Sequence, residues 1–340
     1  MTSGRTTAFS RLHLVGIGIG AALLAVLVGL VLTPVRPITG VLEPDAVVRY
    51  GLPVVRVLFD LAAVATVGLN LLPILVGLAR PKGAERVLLG ARRAAAFSAL
   101  ALAVCALVTL VLQTAEVLPD AAGISFGLVS EYVVTVSAGK ALVFVAAVAL
   151  VSCGLSLWAV RAGEAVPAEL RAAVALFALL PLPVTGHATD WRWQDYAMIS
   201  MELHVLGAAV WTGGLGAVAV VVATNRTLLA HTLPRFSKLA TACLCVVAAT
   251  GLFNAAVELT SVPGRNLVEV LFGTGYGTLV VLKMACFAGL AALGANIRWR
   301  LLPGIVRHQR TALIGWAALE LAVMCAAFGF AVVLTRTPVG

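Results

Sequence analysis

The chain has 340 residues, of which 61% are hydrophobic and only 11% charged. A soluble domain runs at about 45–50% apolar and about 25% charged, and no globule of this size hides such an excess behind a polar surface. A soluble enzyme is excluded. So is a disordered or collagen-like chain, because the 32 Gly and 14 Pro are scattered through apolar runs. The composition is that of a polytopic membrane protein.

A helix crosses the roughly 30 Å hydrocarbon layer in about 20 residues, and apolar stretches bounded by charge, Gly or Pro recur nine times. They lie near Leu12 to Leu32, Leu52 to Ala79, Ala94 to Ala115, Ser137 to Val160, Ala172 to Thr185, Ile199 to Ala223, Leu239 to Leu259, Tyr276 to Ala295 and Leu313 to Thr335. The fifth is the shortest, since Pro181 and Pro183 interrupt its end. The first has basic residues ahead of it, yet Leu32-Thr33-Pro34-Val35-Arg36 offers no small-residue cleavage site, so it reads as a retained span. Nothing alternates polar and apolar in the ten-residue units of an outer-membrane barrel. The predicted fold class is all-α, a polytopic transmembrane bundle of about nine spans.

Lys and Arg set the orientation, because cytoplasmic loops hold the positive excess. The connections carrying Arg80 to Arg93, then Arg161 and Arg171, then Arg226, Arg235 and Lys238, then Arg298 to Arg310 are every second one. With Arg5 and Arg11 on the same side, the N-terminus lies inside and the C-terminus outside. The net charge of +9 is thus a topology signal, split among short loops, and not the concentrated basic face that binds nucleic acid.

The six cysteines all fall within predicted spans, which makes no disulfide framework. Cys243 and Cys245 are two residues apart and point away from each other on an unbroken helix, so they read as packing. No phosphate-binding G-x-x-x-x-G-K-[ST] loop is present, and no catalytic constellation emerges. An ATP-driven pump is not expected, and neither is an enzyme unless its chemistry is redox.

Polar residues in the predicted spans carry the functional information, because a charge at membrane depth is costly and marks a pair, a pathway or a site. Arg56 and Asp60 stand one turn apart, at ion-pair spacing. Lys283 and Glu320 are each roughly 12 Å from opposite ends of the eighth and ninth spans by the rise per residue, which predicts a pairing near mid-membrane. In the sixth span, Met198, Met201 and His204 recur every three residues on one broad face. Thioether and imidazole suit Cu(I), whereas hard cations want oxygens. His187 ends the preceding span on the same outer side, and Glu202, Asn254 and Glu258 gather near it as supporting groups or groups at the mouth.

Gly186-His187-Ala188, His204 with Trp211-Thr212-Gly213-Gly214-Leu215, and Arg235-Phe236-Ser237-Lys238-Leu239-Ala240 resemble the copper resistance D (CopD) membrane proteins. The resemblance continues through Gly251, Asn254, Thr274-Gly275-Tyr276-Gly277-Thr278-Leu279 with Lys283, then Asn296, Arg298, Pro303, Glu320 and Pro338. It divides the chain into N-terminal membrane helices over 1–165 and a CopD-like membrane domain over 166–340. It implies copper handling at a bacterial cytoplasmic membrane, with copper supplied by an external donor of the CopC type. On the residues alone two alternatives stay open. One is a b-type haem or quinone redox protein with His187 and His204 as an axial pair; the other is an assembly subunit whose polar residues hold helices together. The runs Gly16-Ile17-Gly18-Ile19-Gly20 and Gly213-Gly214-Leu215-Gly216 permit close helix contact without fixing an oligomeric state.

The topology is tested by single cysteines placed in a cysteine-free background. Asp120→Cys should react with an impermeant maleimide added from outside and Lys82→Cys should not; the reverse pattern overturns the topology.

Overall fold

A computed structural model describes residues 3–34, 44–77, 81, 83–118, 123–185, 194–260, 266–307 and 313–338, with the side chains of 3–10, 184, 185 and 194 left aside. The described residues form helices and turns with no strand. In chain order these are α1 (Ser3–Leu32), α2 (Ala46–Val76), α3 (Ala84–Val117), α4 (Phe126–Thr135), α5 (Ser137–Ala162), α6 (Ala168–Phe177), α7 (Gln194–Ala217), α8 (Arg226–Leu259), α9 (Leu267–Gly273), α10 (Gly275–Asn296), α11 (Leu302–Val306) and α12 (Leu313–Leu334). Eight of the described helical segments are long and apolar enough to cross a membrane. Backbone groups have no water to bond in lipid, so only segments that satisfy themselves internally survive there.

Side-chain ties sort the helix ends into two faces. Buried Arg92 near the start of α3 pairs with Glu85 and with Glu164 after α5. Arg235 near the start of α8 donates to the Val76 carbonyl at the end of α2 at 2.8 Å. These ends make up a basic face. At the far face, Arg336 beyond α12 pairs with Glu116 at the end of α3.

The ninth crossing is the broken one. α5 ends on the basic face, whereas α7, which runs antiparallel to α8, begins on the far face. Residues 168–185 therefore carry the chain across, as α6, a turn, and a 3-10 turn at Leu182–Thr185. Pro181 and Pro183 lack the N–H a continuous helix needs there. The relation of α1 to α12 agrees: Gly18 faces Cys325 and Gly29 faces Val333, so the two run parallel. Two parallel helices in an alternating chain are an even number of crossings apart, which the eight long segments together with residues 168–185 satisfy among the described residues.

The segments 1–165 and 166–340 interleave in one bundle, with α1 against α12 and α2 against α7. α7 is the axis of the packing. Gly213 faces the α2 backbone at Val64 and Gly68, Gly214 lies under the Phe236 ring of α8, and Gly216 faces Leu321 of α12. Without a hydrophobic force between helices in lipid, such small residues allow the close backbone approach that dispersion rewards. A polar seam pins α2 to its other neighbours: Thr66 donates to Ser98 of α3 at 3.1 Å, and Ser156 of α5 donates to Asn70 at 3.3 Å.

A Cβ added at Gly213 would overlap the α2 backbone, which no side-chain rotation relieves. Gly213→Val should therefore cost at least about 1–3 kcal/mol, the usual overpacking range, and lower the unfolding temperature in detergent. Gly154→Ala, where nothing lies within 4 Å, should leave it unchanged. Equal stability of the two variants contradicts the packing.

Candidate functional site

The turns of α7 and α8 nearest the far face meet along a polar seam. Ser200 of α7 donates to the Thr250 carbonyl of α8 at 3.4 Å, and one turn on, His204 Nδ1 lies 3.1 Å from Thr250 Oγ1. Thr250 donates its own hydroxyl proton back to the Val246 carbonyl at 2.6 Å, a habit of threonine within helices. Its oxygen is left to accept, so the hydrogen-bond network assigns the imidazole proton to Nδ1. The Val247 carbonyl also lies within hydrogen-bond reach of the ring, and among the described residues no hydrogen bond to Nε2 is seen, so its lone pair is open to a ligand. Tying one ring nitrogen so that the other can coordinate is how supporting groups orient histidine ligands.

Gly251 completes the seat. A Cβ there would stand 3.1 Å from His204 Cε1, tighter than ordinary contact, so the ring lies against bare α8 backbone. One turn nearer the far face, Asn254 Nδ2 is 3.9 Å from Met201 Sδ, while its buried Oδ1 has no hydrogen-bond partner. Met201 and His204 thus present a thioether and an imidazole along one wall.

α10 supplies the opposite side. Lys283 lies within electrostatic reach of His204. One turn deeper than Lys283, Phe287 meets Trp211 of α7 edge-on, with ring centroids 6.5 Å apart and planes at 80°. Trp211 is itself two turns, roughly 10 Å, below His204. Toward the far face, Glu258 stands within electrostatic reach of Tyr276. From the far face inward the order is Glu258 and Tyr276, Asn254 and Met201, His204 and Thr250, Lys283, then an aromatic floor.

The remaining candidates scatter. Arg56 Nε stands 3.7 Å from Asp60 Oδ1 on α2, and the guanidinium lies 5.0 Å from the Phe59 ring centroid, so the spacing yields the ion pair it predicts. Lys283 and Glu320 do not pair. Glu320 is buried with its Oε1 beside Gly294, where an added Cβ would be 3.9 Å away, and Gly294 is three turns, roughly 16 Å, along α10 from Lys283. The expectation of a pair took both helices to end at the bilayer edge. The tenth helix instead runs on through a π-helical turn, Ile297–Leu301, into α11, so a deeper residue comes level with Glu320. Met198 and Glu202 are half-buried. His187 lies outside the described residues.

Among the described residues no group of three or more His, Cys, Asp or Glu comes together. Sequence reasoning missed Thr250 and Ser200. The available signal was position: Thr250, Gly251 and Asn254 occupy one face of α8 opposite the methionine and histidine face of α7.

Residues 44–195 match the family described as Copper resistance protein D-like, N-terminal domain, and residues 230–334 match Copper resistance protein D. The chain belongs to the copper resistance protein D family. The first match covers helices that sequence reading aligned with that family only by their hydrophobicity. Met198, Met201 and His204 fall between the two matched segments; Thr250, Gly251, Asn254, Lys283 and Glu320 fall within the second. The chain is 29% identical over 122 residues to the Copper transport protein CutJ of Bacillus subtilis (strain 168), a stretch that is 34% of this chain and 21% of that relative. It therefore spans about a fifth of the length of the curated relative it matches. No solved structure matches the chain.

The seat of His204 has a spectroscopic signature. With ¹⁵N-labelled histidine, the resonance lost in His204→Ala should show the neutral Nδ1–H tautomer in the otherwise unaltered protein and a mixture of tautomers in Thr250→Val. An Nε2–H tautomer in the unaltered protein contradicts the assignment.

Proposed function

We propose that the protein is a copper carrier of the bacterial cytoplasmic membrane that takes Cu(I) from the outside at His204 and Met201. The observation that carries this reading is the His204 imidazole, held through Nδ1 by Thr250 with Nε2 free, one turn from the Met201 thioether. Cu(I) favours that donor pair. Few ligands keep binding weak enough for release onward. The basic loops assign the far face to the outside, so the site opens away from the cytoplasm.

Membership of a copper resistance family and likeness to a protein named for copper transport support the same cargo. His187 and Met198 are proposed as further ligands, with Glu202, Asn254 and Glu258 collecting the cation at the mouth. An external donor protein of the CopC type would supply the metal. The Trp211 and Phe287 rings would close the path below the site, so that onward passage requires them to part. No redox step or bond-making is assigned to the chain, which acts as a carrier.

His204→Ala should lower Cu(I) affinity on the order of a hundredfold or more, beyond what loss of a supporting group costs, and abolish copper-dependent uptake while the detergent-purified protein stays folded. Met198→Leu conserves volume and should do far less. Wild-type copper stoichiometry in a folded His187→Ala, His204→Ala double variant overturns the site. A Soret band in the purified protein would point instead to haem between those histidines.

A further inference from the structure

Lys283 is half-buried on α10, in the interior half of the site between His204 and the Trp211–Phe287 floor. Among the described residues no ion pair to it is seen: Glu320 is three turns away, Glu258 lies toward the far face beside Tyr276, two turns along α10 from Lys283, Asp60 pairs with Arg56, and Glu116 with Arg336. An ammonium held at membrane depth without a counter-charge is expensive. It also repels a bare Cu⁺ arriving at His204. A cation site with a built-in cation beside it is a contradiction unless the cargo brings negative charge.

We infer, resting on the copper reading above, that the site takes Cu(I) together with a small anionic ligand, a halide or thiolate, which remains on the metal and pairs with Lys283. The exchange balances without redox. A two-coordinate anionic complex such as dichlorocuprate gives up one chloride to solution, gains His204 Nε2 and Met201 Sδ, and keeps the second chloride; copper remains Cu(I) throughout. The retained anion cancels one of the two positive charges that Cu⁺ and Lys283 would otherwise bring together, and so halves the local excess. The half-buried Asn254, whose Nδ2 lies beside Met201, offers a further donor toward that anion. The arrangement also selects against divalent hard cations, which carry more positive charge to the ammonium and find few oxygens.

The test compares full-length wild type, Lys283→Met and Lys283→Arg in detergent, with Cu(I) affinity measured by competition with a chromophoric chelator. Three buffers are used: sulfate alone, sulfate with chloride, and sulfate with a small monothiol. Because each anion also competes for Cu(I) in solution, the ratio of variant to wild-type Kd is read within each buffer. Lys283→Met should weaken binding about tenfold or more in chloride or thiol, as expected for loss of a charge-assisted contact, and little in sulfate. Lys283→Arg should retain the anion dependence. A preference for one anion arm identifies halide or thiolate as the partner. A Lys283→Met to wild-type ratio that is the same in all three buffers overturns the inference. If Lys283→Met fails to fold, co-elution of radiolabelled chloride or thiol with copper on wild type decides: one anion per copper supports the inference, and copper without either anion overturns it. Failure of the copper reading itself looks different, because His204→Ala would then bind copper like wild type.

Discussion

The contact of α7 with α2 at Gly213 and Gly68 is the constraint on which the remaining architecture rests. These two backbones meet where no added carbon fits, and the next glycines of α7 accept Phe236 of α8 and Leu321 of α12. One helix therefore touches three neighbours through successive small residues. Held so firmly in the half toward the basic face, α7 can carry a polar face in its other half without relying on that face for packing. The division of labour along one helix is what makes a site possible in a medium that penalises polar groups.

The outer half obeys a second economy. Around His204 one polar atom places the next: Val246 takes the Thr250 proton, Thr250 takes the His204 proton, and Gly251 clears room for the ring. The result is a donor atom, Nε2, presented in one orientation at membrane depth. For the proposed carrier, preorganisation of this kind matters more than the number of ligands, since what is bound must also be released. The aromatic pair beneath it separates the site from the Glu320 region near the basic face, so the bundle has polar groups at two depths with an apolar division between them.

Much of this was legible in the sequence because the bilayer reads composition directly. Charge alternation between loops and the apolar runs pointed to nine spans; eight of them are long apolar helices among the described residues, and at the weak fifth Pro181 and Pro183 mark the break where the chain forms α6 and a 3-10 turn. The methionine and histidine periodicity of the sixth span gave the ligand wall. What failed was depth across helices. Lys283 and Glu320 looked level only because each helix was assumed to stop at the membrane edge; the π-helical turn at Ile297–Leu301 and its continuation shift the register by turns, and no single-helix pattern encodes that. Thr250 was missed for a related reason: its role exists only relative to His204 on another helix.

The central claim is that copper bound by this chain sits on the imidazole of His204 with sulfur beside it. Copper K-edge X-ray absorption of the Cu(I)-loaded, purified protein tests it most directly. A low-coordinate Cu(I) centre with an imidazole shell and a sulfur shell is expected, the imidazole component falling away in His204→Ala. A spectrum with no imidazole scattering, or one that His204→Ala leaves unchanged, would contradict it.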